Sequence, residues 1–115
     1  LYVRYLRCTD RAGFAQLTRE VFATATSRPV QRLVVDLRGN GGGDSSVFAP
    51  FLAALQTSPL NRPDRLFVLF DQGTFSSAEL NALQLTEMTR ATTLGQPAGG
   101  KPNSYGEVDA FTLPY

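Results

Sequence analysis

Three short segments of this chain carry residue types that can do chemistry. The first is Thr74-Phe75-Ser76-Ser77-Ala78-Glu79-Leu80. An apolar run ends just before it, a tight turn follows, and a serine opens a helical pattern. The first turn of a helix presents unpaired N–H groups and partial positive charge. An alkoxide forming at Ser76 is stabilised there, and the N–H of the next residue, Ser77, can donate to an oxyanion. Ser76-x-x-Glu79 is equally the pattern of a capping box, in which hydroxyl and carboxylate only satisfy helix N–H donors. The segment alone leaves both readings open.

The second segment is Asp36-Leu37-Arg38-Gly39-Asn40-Gly41-Gly42-Gly43. Its glycines free the backbone from the Cβ restriction, so N–H groups can turn into a cavity as an oxyanion hole requires. A phosphate loop is the rival reading. Asp44 stands where G-x-G-x-x-G needs its third glycine, and the Lys-Ser/Thr ending of a P-loop is missing. A plain tight turn is the remaining alternative. Asp36 and Arg38 read as residues that hold the loop.

The third segment is Gly99-Gly100-Lys101-Pro102. The chain has no His, and Lys101 is the single lysine among eleven Lys and Arg residues. A Ser-His-Asp triad inside the chain is therefore excluded, as is a His-ligated zinc site. Arginine stays protonated, so Lys101 is the one cationic side chain that can accept a proton. Cys8 is the lone cysteine, which excludes an internal disulfide and a thiolate metal cluster, and reads as a packing residue.

These segments need elements to position them. Leu1 to Leu6 reads as a strand. Asp10 caps a helix to about Thr26, with Phe14, Leu17, Val21 and Ala25 at helical spacing, and Pro29 stops it. Arg32 to Leu37 is a buried, parallel-type strand. Asp44 or Ser45 caps a second helix to about Gln56, with Phe48, Phe51, Leu52 and Leu55 inward. Ser58 to Asp64 is a loop, Leu66 to Phe70 a strand, Phe75 to about Met88 a third helix, and Thr92 to Leu94 a short strand. A loop from Gln96 to Gly106 and a last strand from Val108 to Leu113 complete the order. Alternating strands and helices predict an α/β layer with a mostly parallel sheet flanked by helices, whose sites lie at the carboxyl ends of strands. The helix after Ser76 carries the chain about 18 Å away at 1.5 Å per residue, and the following strand returns most of that. Lys101 can thus lie beside the serine. Glu87 falls on the same helix face but roughly 16 Å off, and reads as a solvated carboxylate. Asn103 and Tyr105 are undecided neighbours of the site.

Composition agrees with one packed unit across residues 1–115: 43% hydrophobic and 18% charged residues, with a net charge of +1. No basic tract points to nucleic acid, and no apolar run is long enough to span a bilayer. The absence of a starting Met suggests a piece excised from a longer protein.

Taken together, Asp36-Leu37-Arg38-Gly39-Asn40-Gly41-Gly42-Gly43, Thr74-Phe75-Ser76-Ser77-Ala78-Glu79 and Leu94-Gly95-Gln96-Pro97-Ala98-Gly99-Gly100-Lys101 resemble, in order and spacing, the three signatures of the C-terminal processing (tail-specific) serine peptidase family, nearest an outlying bacterial branch. The resemblance covers nearly the whole chain. It implies a crotonase/ClpP-like core, Ser76 as nucleophile, Lys101 as base, and the N–H groups of Gly42 and Ser77 as oxyanion donors. It implies a peptide or protein substrate, no cofactor and no metal, and favours a bacterial periplasmic or secreted setting. Some relatives pair the serine with a histidine and others bind ligands. An inactive peptide- or apolar-ligand-binding module and a crotonase-like acyl-transfer enzyme therefore stand as alternatives.

Overall fold

The computed structural model describes residues 1–101 and Thr112. Four strands, β1 (Tyr2–Arg4), β2 (Leu33–Asp36), β3 (Leu66–Phe70) and β4 (Thr92–Gly95), form one sheet in the order β1-β2-β3-β4. Every pairing is parallel, with Val3, Val35, Val68 and Thr93 in one register row. Three helices, α1 (Arg11–Ser27), α2 (Ala49–Thr57) and α3 (Ser77–Met88), make the crossovers. Right-handed crossovers that all advance in one direction put their helices on one face of the sheet. Burial agrees: Val3, Val35 and Val68 are buried, whereas the neighbouring row has Tyr2 exposed and Val34 and Phe67 half-buried.

The expected α/β layer with a parallel sheet is present. Asp10 caps α1, accepting from the Gly13 N–H at 2.9 Å. Of the four positions expected inward on α1, Phe14 and Val21 are buried and Leu17 and Ala25 pack half-buried against the core. All four on the second helix, Phe48, Phe51, Leu52 and Leu55, are buried. That helix differs in its first turn, which is 3-10 (Ser45–Phe48). The cause is Pro50. An α-helix would bond the Ser46 carbonyl to the N–H of residue 50, which proline lacks. The Ala49 N–H takes that carbonyl instead. The expected strand from Val108 to Leu113 lies outside the described residues.

Aromatic rings knit the helices to the segment after β1. Tyr5 lies 4.4 Å from Phe14 and 5.2 Å from Phe48, and Phe51 lies 5.2 Å from both Phe48 and Phe22 (ring centroids). Phe48 ends the 3-10 turn that follows the glycine loop, so this cluster helps fix where that loop leaves the sheet.

Candidate active site

The loops after β2 and β3 meet at the carboxyl end of the sheet, and Thr74 joins them. Its side chain is fully buried. The Thr74 hydroxyl donates to the Leu37 carbonyl at 2.9 Å and accepts from the Asp71 N–H at 3.1 Å. Asp71 Oδ1 accepts from the Gly39 and Gly73 N–H groups, and the Phe75 N–H donates to the Asn40 carbonyl at 3.0 Å. Replacing Thr74 with Val keeps the shape, leaves the Asp71 N–H without its partner, and takes from the Leu37 carbonyl one of two donors, the Asn40 N–H remaining. An unsatisfied buried polar group costs about 1–3 kcal/mol. We expect Thr74→Val to lower the urea midpoint by that equivalent with an unchanged slope.

Ser76 stands at the head of α3 with φ 56° and ψ −129°, the one non-glycine residue of positive φ among the described residues. Such backbone costs an L-residue about 1–3 kcal/mol and persists only where surrounding contacts hold it. Here the Phe75 N–H is pinned to Asn40 on one side, and Ser77 on the other is buried with its hydroxyl donating to the Gly43 carbonyl at 2.6 Å. The Ser76 hydroxyl makes no capping bond and is exposed. Glu79 does not close the box either: its link to Ser76 is the helical N–H to carbonyl bond at 2.9 Å. The capping reading of Ser76-x-x-Glu79 is thus not realised.

Gly42 presses against this residue. A Cβ on Gly42 would lie 2.8 Å from Ser76 Cβ, 2.9 Å from the Phe75 carbonyl oxygen and 3.0 Å from the Ser77 nitrogen, and its φ is +101°. The expectation that the Gly42 N–H faces the serine needs correction. That N–H donates to Asn40 Oδ1 at 3.0 Å, because a buried Asn side chain two residues back offers a better-placed acceptor. Asn40 is fully buried, and its Nδ2 donates to the Tyr5 carbonyl at 2.7 Å. Behind it, the buried Cys8 Sγ lies 3.7 Å from Asn40 Oδ1 and 3.6 Å from Asn81 Oδ1 on α3, two acceptors that compete for its one proton, and Asn81 Nδ2 donates to the Ser45 carbonyl. Sequence reasoning passed over Asn40 and Asn81. A polar residue at position 81, in the phase of buried Ala78, Ala82 and Leu85, was the available signal.

The loop after β4 crosses the same place. The Gly99 N–H donates to the Thr74 carbonyl at 3.0 Å, and a Cβ on Gly100 would overlap the Glu79 carboxylate. Lys101 follows at once, so the chain returns to the head of α3 as the reach argument required. Its side chain is exposed and makes no hydrogen bond or ion pair with a described residue. No bond joins its amine to Ser76 here, and the contact expected of a base is one made at the latest when substrate is bound; the adjoining backbone is what packs on α3. Glu87 is exposed, as expected of a solvated carboxylate. Asn103 and Tyr105 lie outside the described residues.

Asp36, at the start of the glycine loop, is buried and gripped on both oxygens by Arg38, at 2.9 and 2.8 Å, with a further bond from the Tyr2 hydroxyl. Arg38 first, and the Tyr2 hydroxyl and Arg38 N–H after it, hold the Asp36 carboxyl well below the usual carboxylate range, against the opposing effect of burial. A depressed folded-state pKa contributes stability that is complete above the unfolded value near 3.9 and is lost as pH falls toward the folded one. Thermal melts should therefore show Tm dropping below about pH 4, and Asp36→Asn should flatten that part of the slope.

Among the described residues no group of His, Cys, Asp and Glu is placed to hold a metal ion, and no helix is long and apolar enough to cross a membrane. No known family model and no curated protein matches the chain. Among solved structures, it is similar to a lipoprotein from Streptococcus agalactiae. The TM-score is 0.58 at 15% identity, over 86% of this chain and 46% of that one. The likeness is one of fold, and the chain spans less than half of that protein's length.

Proposed function

We propose that this chain is the nucleophile-bearing part of a serine peptidase of tail-specific type, built on a crotonase/ClpP-like core. The observation that carries the reading is the exposed, unbonded Ser76 hydroxyl on strained backbone at the head of α3. A capping serine needs neither the strain nor the freedom. Consecutive parallel strands with helices on one face suit the proposed core.

In the scheme, Ser76 Oγ attacks the carbonyl carbon of a peptide bond and its proton passes to Lys101 Nζ. The carbonyl oxygen becomes an oxyanion beside Ser77 N–H and the glycine loop. The C–N bond breaks, and the leaving amine takes the proton from Lys101. Water repeats the sequence on the ester and frees the acid and Ser76. No cofactor enters these steps. A base must be neutral when it accepts, so the scheme requires bound substrate to strip water from the exposed Lys101 amine.

A fluorophosphonate probe tests the reading. Expected is a single covalent adduct mapped by mass spectrometry to Ser76, with fluoride released. No adduct, or one elsewhere, overturns it. Lys101→Arg should slow labelling as much as Lys101→Ala, about 10²–10⁴-fold, because Arg keeps the charge but accepts no proton. Undiminished labelling in Lys101→Arg would move the base to another group. The alternative of an inactive ligand-binding module draws on two features, the engaged Gly42 N–H and the exposed Lys101. Peptide binding without any probe adduct would favour it.

A further inference from the structure

We infer that the glycine-loop donor of the oxyanion hole is the N–H of Gly43, while Gly42 serves as the spacer that lets the loop touch Ser76. The inference rests on the peptidase reading and replaces one of its parts. Gly43 and Cys8 form a parallel bridge, in which the Cys8 N–H donates to the Gly42 carbonyl at 3.1 Å and the Asp44 N–H to the Cys8 carbonyl at 2.7 Å. In such a bridge both bonds use the groups of one residue, here Cys8, so the N–H and C=O of Gly43 face away from it. The carbonyl confirms the direction, since it accepts the Ser77 hydroxyl at 2.6 Å. Gly43 therefore turns its polar groups toward the first residue of α3, directly after the proposed nucleophile. Its N–H makes no hydrogen bond with a described residue, and the residue is exposed. The Gly42 N–H is already spent on the buried Asn40. A donor aimed at developing charge has to be uncommitted and accessible before the reaction. Gly43 meets both conditions, whereas the half-buried Gly42 has its N–H already committed.

Side-chain substitution cannot test this, because a Cβ on Gly43 would overlap the Cys8 carbonyl. Amide-to-ester replacement can. Glycolic acid in place of Gly43, or in place of Gly42, deletes one N–H and adds no side chain. In the phosphonylation step Ser76 Oγ bonds to phosphorus, fluoride leaves, the serine proton goes to the base, and the P–O⁻ of the transition state occupies the oxyanion position. Loss of one oxyanion donor slows such a step about 10²–10³-fold. The ester at 43 should slow labelling by that factor, with unchanged circular dichroism, and the ester at 42 should leave it within a few-fold. A large loss at 42 with none at 43 overturns the assignment and restores Gly42. Equal indifference at both positions also overturns it. If the unmodified chain takes no label, the peptidase reading falls and this assignment with it.

Discussion

Ser76→Ala should abolish fluorophosphonate labelling and any peptide turnover, by at least about 10³-fold, while changing folding stability by less than about 0.5 kcal/mol. The two halves of that expectation separate a nucleophile from a cap. A capping serine loses about 0.5–2 kcal/mol on truncation to alanine. Ser76 makes no capping bond, so its hydroxyl has nothing of that kind to lose. Ser76→Gly extends the test. At φ 56° and ψ −129° glycine carries no Cβ penalty. Relief of strain, less the extra chain entropy of an unfolded glycine, should raise stability by about 1 kcal/mol. Urea unfolding of the three proteins reads both effects. A large destabilisation in Ser76→Ala, or none of the expected gain in Ser76→Gly, would mean that the residue is held for structural reasons.

Gly42→Ala should be the methyl addition that acts most directly on Ser76. The new Cβ would meet Ser76 Cβ, the Phe75 carbonyl and the Ser77 nitrogen at 2.8 to 3.0 Å, on a backbone with φ +101°. None of these neighbours is the tip of a flexible side chain. Overpacking and left-handed strain together cost about 2–4 kcal/mol. Relief would have to come from moving the head of α3, so labelling at Ser76 should be lost well before the chain unfolds. Gly39→Ala is the matched control. Its φ is +71° but a Cβ there meets nothing within 4 Å, so it carries the strain without the collision. Equal loss of labelling in both variants would assign the effect to backbone strain and not to contact with Ser76.

Much of this arrangement could be read from residue order. Leu66 to Phe70 announces a buried parallel strand by its unbroken apolar run, and it occupies those bounds. Asp10 and Pro29 bracket α1 by local chemistry alone. Ser76 was visible as a serine opening a helix, but its strained backbone was not. Positive φ at a residue with a Cβ is imposed by partners from elsewhere, here Asn40 holding Phe75 and Gly43 holding Ser77. The orientation of the Gly42 N–H was hidden for a related reason. It is decided by a side chain that is itself positioned through Tyr5. The 3-10 turn before α2 was within reach of the sequence, since Pro50 states which carbonyl will lack its α-helical donor.

The consecutive strand order also bears on how the chain assembles during synthesis. Each strand pairs with the one made just before it, so no pairing has to wait for a distant segment. Once about residue 50 has emerged, β1 and β2 can pair, Cys8 can engage the glycine loop, and the rings of Tyr5, Phe14 and Phe48 can close over one another. Ser76 then arrives on a template that is already shaped, and its backbone is bent by contacts that predate it. Translation proceeds at about 5–20 residues per second. The interval between glycine loop and serine is therefore seconds, long compared with the closing of local contacts. A ribosome-bound chain that exposes residues up to about 50 should already protect them from proteolysis, with the nucleophile still unmade.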